Sequence, residues 1–240
     1  MKPARVVAIV PAFDAAGTVG AVARELLDRP PFRGPDGVVI VVDDGSSDST
    51  SDVAAAAGAL VARHAANRGK GAALRTGLER ARELGAGAAV TLDADGQHFP
   101  DEAARIALHD APAEALVLGV RDLRRDGAPR ANRFSNGISN FFLSSFTGLA
   151  LHDTQCGLRR YPVEPTLALG ASDDGYAFEA ECILRAARAG WSIVEVPVRV
   201  HYPPEDERVT HFHVVRDPAR IVYRVVRTLA TTRDVSRARR

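Results

Sequence analysis

Short apolar runs that stop at turn or acidic residues, with helix-period segments between them, constrain this chain more than any other feature. Residues 6–10, 38–42, 59–62, 88–92 and 116–119 are such runs. Pro11 ends the first, Asp43-Asp44-Gly45 the second and Asp93 the fourth. Between them Val19, Val22, Ala23, Leu26 and Leu27 recur at helical spacing, residues 49–57 read as a second helix, and Leu74, Gly77, Leu78 and Ala81 mark a third. Strands that lack polar alternation are buried on both faces. The pattern therefore predicts an α/β fold, a Rossmann-like, mostly parallel central sheet with helices on both faces. In such sheets ligands bind beyond the carboxyl ends of the strands. Pro11, Asp43, Asp44 and Asp93 all fall there, so one edge of the sheet is expected to carry the chemistry.

The second half is less regular. It predicts helices over 134–151 and 177–189, a strand over 193–200, and a helix over 214–229 whose apolar positions sit among arginines. At 240 residues one domain suffices, expected over 1–225 with a basic tail over 226–240. A formal net charge of +1 argues against nucleic acid as the partner. Two cysteines, Cys156 and Cys182, without metal-ligand spacing suit a reducing compartment. No leader is visible and no apolar run approaches the ~18 residues of a spanning helix. The expectation is a cytoplasmic protein, with any membrane contact peripheral. Phe141, Phe142, Phe146 and the arginine-rich 214–229 segment could meet lipid; core packing and a solvated face are the competing readings.

The acidic motif Asp93-Ala94-Asp95-Gly96-Gln97-His98 is the clearest chemical signal. Two carboxylates two residues apart in a loop can converge on a hard cation, Mg²⁺ or Mn²⁺, which favours oxygen ligands and is often completed by substrate phosphates. Gln97 adds a neutral oxygen. The competing reading is an ordinary strand-end turn. Asn67-Arg68-Gly69-Lys70-Gly71 leads into a helix, where glycines let backbone amides approach a phosphate. No GxGxxG follows the first strand, which argues against NAD. Glu179 and Glu181 open a helix; one could be a general base, or both could simply complement the helix dipole.

Taken in order, residues 42–50, 67–71 and 93–98 resemble the family-two glycosyltransferases, above all the dolichyl-phosphate mannose synthases and their bacterial polyprenyl-phosphate relatives. The resemblance runs from about Val6 to about Ile221. It implies a GT-A fold and a metal-dependent hexosyltransferase. By it Pro11, Phe13, Val42 and Asp44 hold the nucleotide, joined on the nucleotide-sugar by Lys70, Asp93, Ala94 and Arg121. Asp93, Asp95 and Gln97 become the metal ligands; apart from the resemblance, Asp95 and Glu179 are the expected catalytic residues. Arg133, Arg199, Arg208 and His211 fall on the acceptor-phosphate side, and residues 153–157 on an acceptor loop. The family often has an acidic residue two places after the aromatic; here that place is Ala15, with Asp14 beside it.

The expected reaction is inverting transfer of a hexose from a GDP- or UDP-linked donor to a polyprenyl phosphate or related lipid acceptor. Transfer to a saccharide or glycolipid hydroxyl is an alternative that needs a carboxylate base such as Glu179. A non-catalytic nucleotide-sugar-binding module is an alternative of another class. A sugar-phosphate nucleotidyltransferase would carry a Gly-rich basic loop after the first strand, and residues 10–14 are not one.

Overall fold

The computed structural model describes residues 5–202. Arg208, His211, the expected 214–229 helix and the 226–240 tail lie outside the described residues. The strands are β1 (Val6–Ala12), β2 (Val39–Asp43), β3 (Leu60–Arg63), β4 (Ala88–Thr91), β5 (Leu116–Arg121), β6 (Arg159–Pro162) and β7 (Ile193–Val198). The helices are α1 (Val19–Leu27), α2 (Thr50–Ala56), α3 (Lys70–Glu83), α4 (Pro100–Ala107), α5 (Arg130–Thr147), α6 (Val163–Ala168) and α7 (Ala177–Arg188). The seven strands form one sheet in the order β3-β2-β1-β4-β6-β5-β7. Pairing is parallel except at β6, which runs antiparallel to both β4 and β5.

Successive residues of the central strands feed opposite faces. Val7, Ile9, Ile40 and Val42 pack with Leu74 and Leu78 of α3 and with Phe178, Ile183 and Leu184 of α7. Ala8, Val10, Val39 and Val41 pack on the other side with Val22 and Leu26 of α1 and Ile106 of α4. Both faces are thus apolar, as a parallel sheet with two helical covers requires.

The predicted strands and helices of the first half are all present. β1 runs on to Ala12, through Pro11, which pairs with Val42 of β2. Its pairing with β4 ends at Ile9 and Thr91, so the missing N–H of Pro11 leaves no ladder bond unmade on that side. α5 starts four residues before the expected 134 and ends at Thr147. The predicted 193–200 strand stops at Val198, with Val200 in an isolated bridge to His98.

β6, α4 and α6 do not follow from apolar periodicity. β6 reads Arg-Arg-Tyr-Pro yet is entirely buried. Its arginines are accommodated because their guanidinium groups donate to backbone carbonyls. Arg160 reaches the carbonyls of His109 at 2.7 Å and Ala111 at 3.1 Å. Among the described residues no helix is long and apolar enough to cross a membrane.

Candidate active site

Three loops leave the carboxyl ends of β1, β2 and β4 side by side. After β1, Asp14 takes a positive φ of 47°. Its amide donates to Ser46 Oγ at 2.9 Å and its carboxylate accepts from the Ser47 amide at 2.8 Å. The β1 and β2 loops are thereby locked together around half-buried Phe13. The acidic residue beside Ala15 therefore holds the loop.

After β2, Asp44 is buried. Its carboxylate accepts from the amides of Arg68 at 3.0 Å and Gly69 at 2.7 Å, and lies 2.6 Å from His64 Nδ1. It fixes the entrance to α3 and so the direction in which Lys70 points. Gly69 serves this entrance differently from the expectation. It has φ 102°, and a Cβ there would lie 2.3 Å from the Asp174 carbonyl oxygen. The glycine admits the backbone before α7, whose Asp174 carbonyl accepts from the Ala72 amide at 3.1 Å. Val42 and Ala94 are core residues, 0% and 6% exposed, so what they offer a ligand is backbone.

The acidic motif follows β4. Lys70 Nζ lies 2.7 Å from Asp93 Oδ1 and 3.1 Å from Glu179 Oε2. Asp95 accepts from the Gln97 amide at 3.0 Å. The 153–157 loop closes over Asp93: a Cβ on Gly157 would come within 2.5 Å of Asp93 Oδ2 and would push that carboxylate aside. Thr91 Oγ1 pins this approach by donating to the Gly157 carbonyl at 2.9 Å. Burial pushes both carboxyls up. At Asp93 the Lys70 ammonium overrides burial and holds the group near 2. Asp95 lacks such a partner and has charged Asp93 beside it, so burial and repulsion leave it at about 6. His98, deeply buried, is pushed down to about 4.

These residues fit a divalent cation. Two carboxylates and an amide are hard oxygen donors, and the raised Asp95 reports a spot where positive charge is wanted. Among the described residues no three His, Cys, Asp or Glu side chains converge as a cage. A cation here needs further oxygens, such as those of a diphosphate.

Beside this motif lies a cleft of about 870 Å³ at the ends of β5 and β7. Arg121, Arg133 and Arg199 line it together with Arg105, Arg124 and Arg125. Arg121 is clamped by Asp153, with Nε 2.7 Å from Oδ2 and Nη2 2.9 Å from Oδ1. Its second Nη reaches Tyr202 at 3.2 Å. Arg199 donates to Glu102 at 2.7 Å and stacks over Phe99.

Glu179 does not face this cleft as a base would. It is 6% exposed, and its carboxylate stands between Lys70 and Arg159, whose Nε is 3.5 Å from Oε1. In this structure it serves as a counter-ion. Arg159 itself escaped the sequence reading. It is 1% exposed and donates to the carbonyls of Cys156 at 2.8 Å, Thr154 at 2.8 Å and Glu179 at 3.0 Å. An arginine at a strand start ordinarily faces water, and nothing in spacing marks this one. The clamp on Arg121 was equally hidden, although Asp153 lies in the loop that the resemblance singled out.

The family model for glycosyl transferase family 2 matches residues 7–165. An undecaprenyl-phosphate mannosyltransferase of Micrococcus luteus is 29% identical over 205 residues, 81% of this chain and 82% of that protein. A polyprenol monophosphomannose synthase of Mycolicibacterium smegmatis is 33% identical over 178 residues, 67% of this chain and 65% of that one. Among solved structures, a glucosyl-3-phosphoglycerate synthase from Mycobacterium tuberculosis in complex with Mn²⁺, uridine diphosphate and glucosyl-3-phosphoglycerate superposes with a TM-score of 0.64 at 19% identity, covering 95% of this chain and 80% of that one. That likeness concerns the fold, which is GT-A. With the ordered acidic and basic motifs at the sheet edge and the family match over most of the described residues, this chain belongs to glycosyl transferase family 2.

Proposed function

We propose that this chain transfers a hexose from a GDP- or UDP-linked sugar to a polyprenyl phosphate, with inversion at the anomeric carbon. The observation that carries the reading is the Asp93–Asp95 pair, faced by Lys70, beside an arginine-lined cleft. Asp93, Asp95 and Gln97 would hold Mg²⁺ or Mn²⁺. Such an ion supplies charge neutralisation on the leaving diphosphate. The loops after β1 and β2, with Pro11, Phe13 and Asp44, are the side for the nucleotide. The names of the mannosyltransferase and mannose synthase relatives support a lipid-phosphate acceptor.

The balance of the reaction favours a phosphate acceptor at this site. The bond from the anomeric carbon to the diphosphate oxygen breaks, and the diphosphate keeps the electron pair. A bond to an acceptor phosphate oxygen forms. A phosphate monoester has a second pKa near ~6 and is mostly dianionic at neutral pH, so no proton need be removed. It needs cations to approach a charged donor, and Arg133 and its neighbours supply them. A hydroxyl acceptor would need a free carboxylate, and Glu179 is buried with Lys70 3.1 Å from its Oε2.

Support for a lipid comes from α5. Phe134 and Phe141 are 72% and 67% exposed. With Ile138 and Phe142 they border an apolar groove of about 470 Å³ that shares Arg133 and Gly137 with the arginine cleft. Such a face suits peripheral contact with a membrane surface.

The test is a panel of GDP- and UDP-sugars with Mn²⁺ and undecaprenyl phosphate. Release of nucleoside diphosphate that depends on the lipid is expected for one donor. Release of pyrophosphate would point to a nucleotidyltransferase, and binding without turnover to a non-catalytic module.

A further inference from the structure

The Lys70 ammonium stands where it neutralises Asp93, a carboxylate that a divalent cation would also require. A fixed ammonium there would compete with the metal, unless it has somewhere to go. Glu179 supplies that place. Its Oε2 is already 3.1 Å from Lys70 Nζ, against 2.7 Å for Asp93 Oδ1. Its other oxygen, Oε1, is buried without a hydrogen-bond partner among the described residues; Arg159 Nε is 3.5 Å away and donates to the Cys156 carbonyl instead. A buried carboxylate oxygen without a bond is costly and is normally satisfied. Arg159 also holds the backbone of Glu179 through the bond to its carbonyl.

Resting on the metal reading above, we propose that Glu179 is a positioning residue which receives Lys70: the ammonium leaves Asp93 for Glu179 when a divalent cation takes Asp93. No proton moves in the exchange. Asp93 trades one cation for another, and the short side of the Lys70 bridge moves to an acceptor with spare capacity. The lysine thus holds Asp93 in its binding rotamer without the metal and clears it when the metal arrives. The buried pair Arg159–Glu179 has in this account a role that a general base would not have.

The test is Mn²⁺ binding to the protein with UDP or GDP present, read from loss of the free-ion EPR signal beyond that caused by the nucleotide alone. Glu179→Gln is expected to weaken Mn²⁺ about tenfold, the size of one charge-assisted hydrogen bond lost. Glu179→Asp, which keeps the charge, should recover part of that. Lys70→Met removes the competing cation and should bind Mn²⁺ more tightly than wild type. The double variant should bind like Lys70→Met, because without the lysine Glu179 has nothing to receive. Glu179→Gln at wild-type affinity, or a double variant as weak as Glu179→Gln alone, overturns the inference while leaving the metal site standing. If the wild type shows no Mn²⁺ binding that Asp95→Asn removes, the metal reading falls and this inference with it. Lys70→Met carries the test independently should Glu179→Gln fold poorly.

Discussion

Asp95 sits in an environment at odds with its charge. Burial and the neighbouring Asp93 raise it to about 6, against 3.8 in an unstructured chain. A carboxylate raised in the folded state binds its proton more tightly there, so its contribution to stability is greatest below 3.8 and is lost as pH rises through 6. Asp95→Asn escapes that loss and keeps an oxygen for the Gln97 amide. Without metal the variant should match wild type near pH 4 and exceed it at pH 7.5 by about 1–3 kcal/mol, measured by urea unfolding. The same change should lower metal-dependent turnover by about 10²-fold or more, the scale of losing a preorganised electrostatic group. A variant both less stable at neutral pH and fully active would contradict the assignment.

Arg159 makes the opposite case, a charge that the fold depends on. Arg159→Met leaves three carbonyls without their donor and Glu179 without its neighbour. A loss of about 3–5 kcal/mol is expected in urea unfolding, as for breaking other buried ion pairs. Its position in β6 explains why it was illegible. A sequence reading takes charged residues as exposed, and only the antiparallel insertion of β6 between β4 and β5 buries this one.

At the scale of elements, legibility followed burial. Strands such as 38–42, covered on both sides, are apolar throughout and could be read directly. β6 and the short α4 and α6 owe their form to neighbours and to backbone hydrogen bonds, which leave no period in the residues. The sequence marks α5 as apolar, but which phenylalanines pack and which face out depends on where the helix starts. Leu143 enters the core, Phe146 packs against it, and Phe134 and Phe141 stay outside. That division gives a prediction for the element. Phe134→Asp with Phe141→Asp should leave thermal stability nearly unchanged, since neither ring is buried, and should abolish flotation with vesicles containing anionic lipid and undecaprenyl phosphate. Undiminished flotation would remove α5 from the membrane contact.

At the scale of the whole molecule, the sheet edge was readable because acidic and turn residues follow the strands directly. The pairings made across that edge were not. Lys70 to Asp93 and Glu179, Asp44 to the α3 entrance, and Arg121 to Asp153 join segments far apart in sequence, and no local pattern encodes them. Together they set a carboxylate pair beside a basic cleft, with an apolar groove continuing from it. The most direct measurement is mass spectrometry of the lipid extract after incubation with Mn²⁺, undecaprenyl phosphate, a glycolipid with a free hydroxyl, and the donor panel. The account predicts one hexose joined to the lipid phosphate, absent both without metal and in Asp95→Asn. A hexose joined to a hydroxyl acceptor while undecaprenyl phosphate stays unmodified would contradict it.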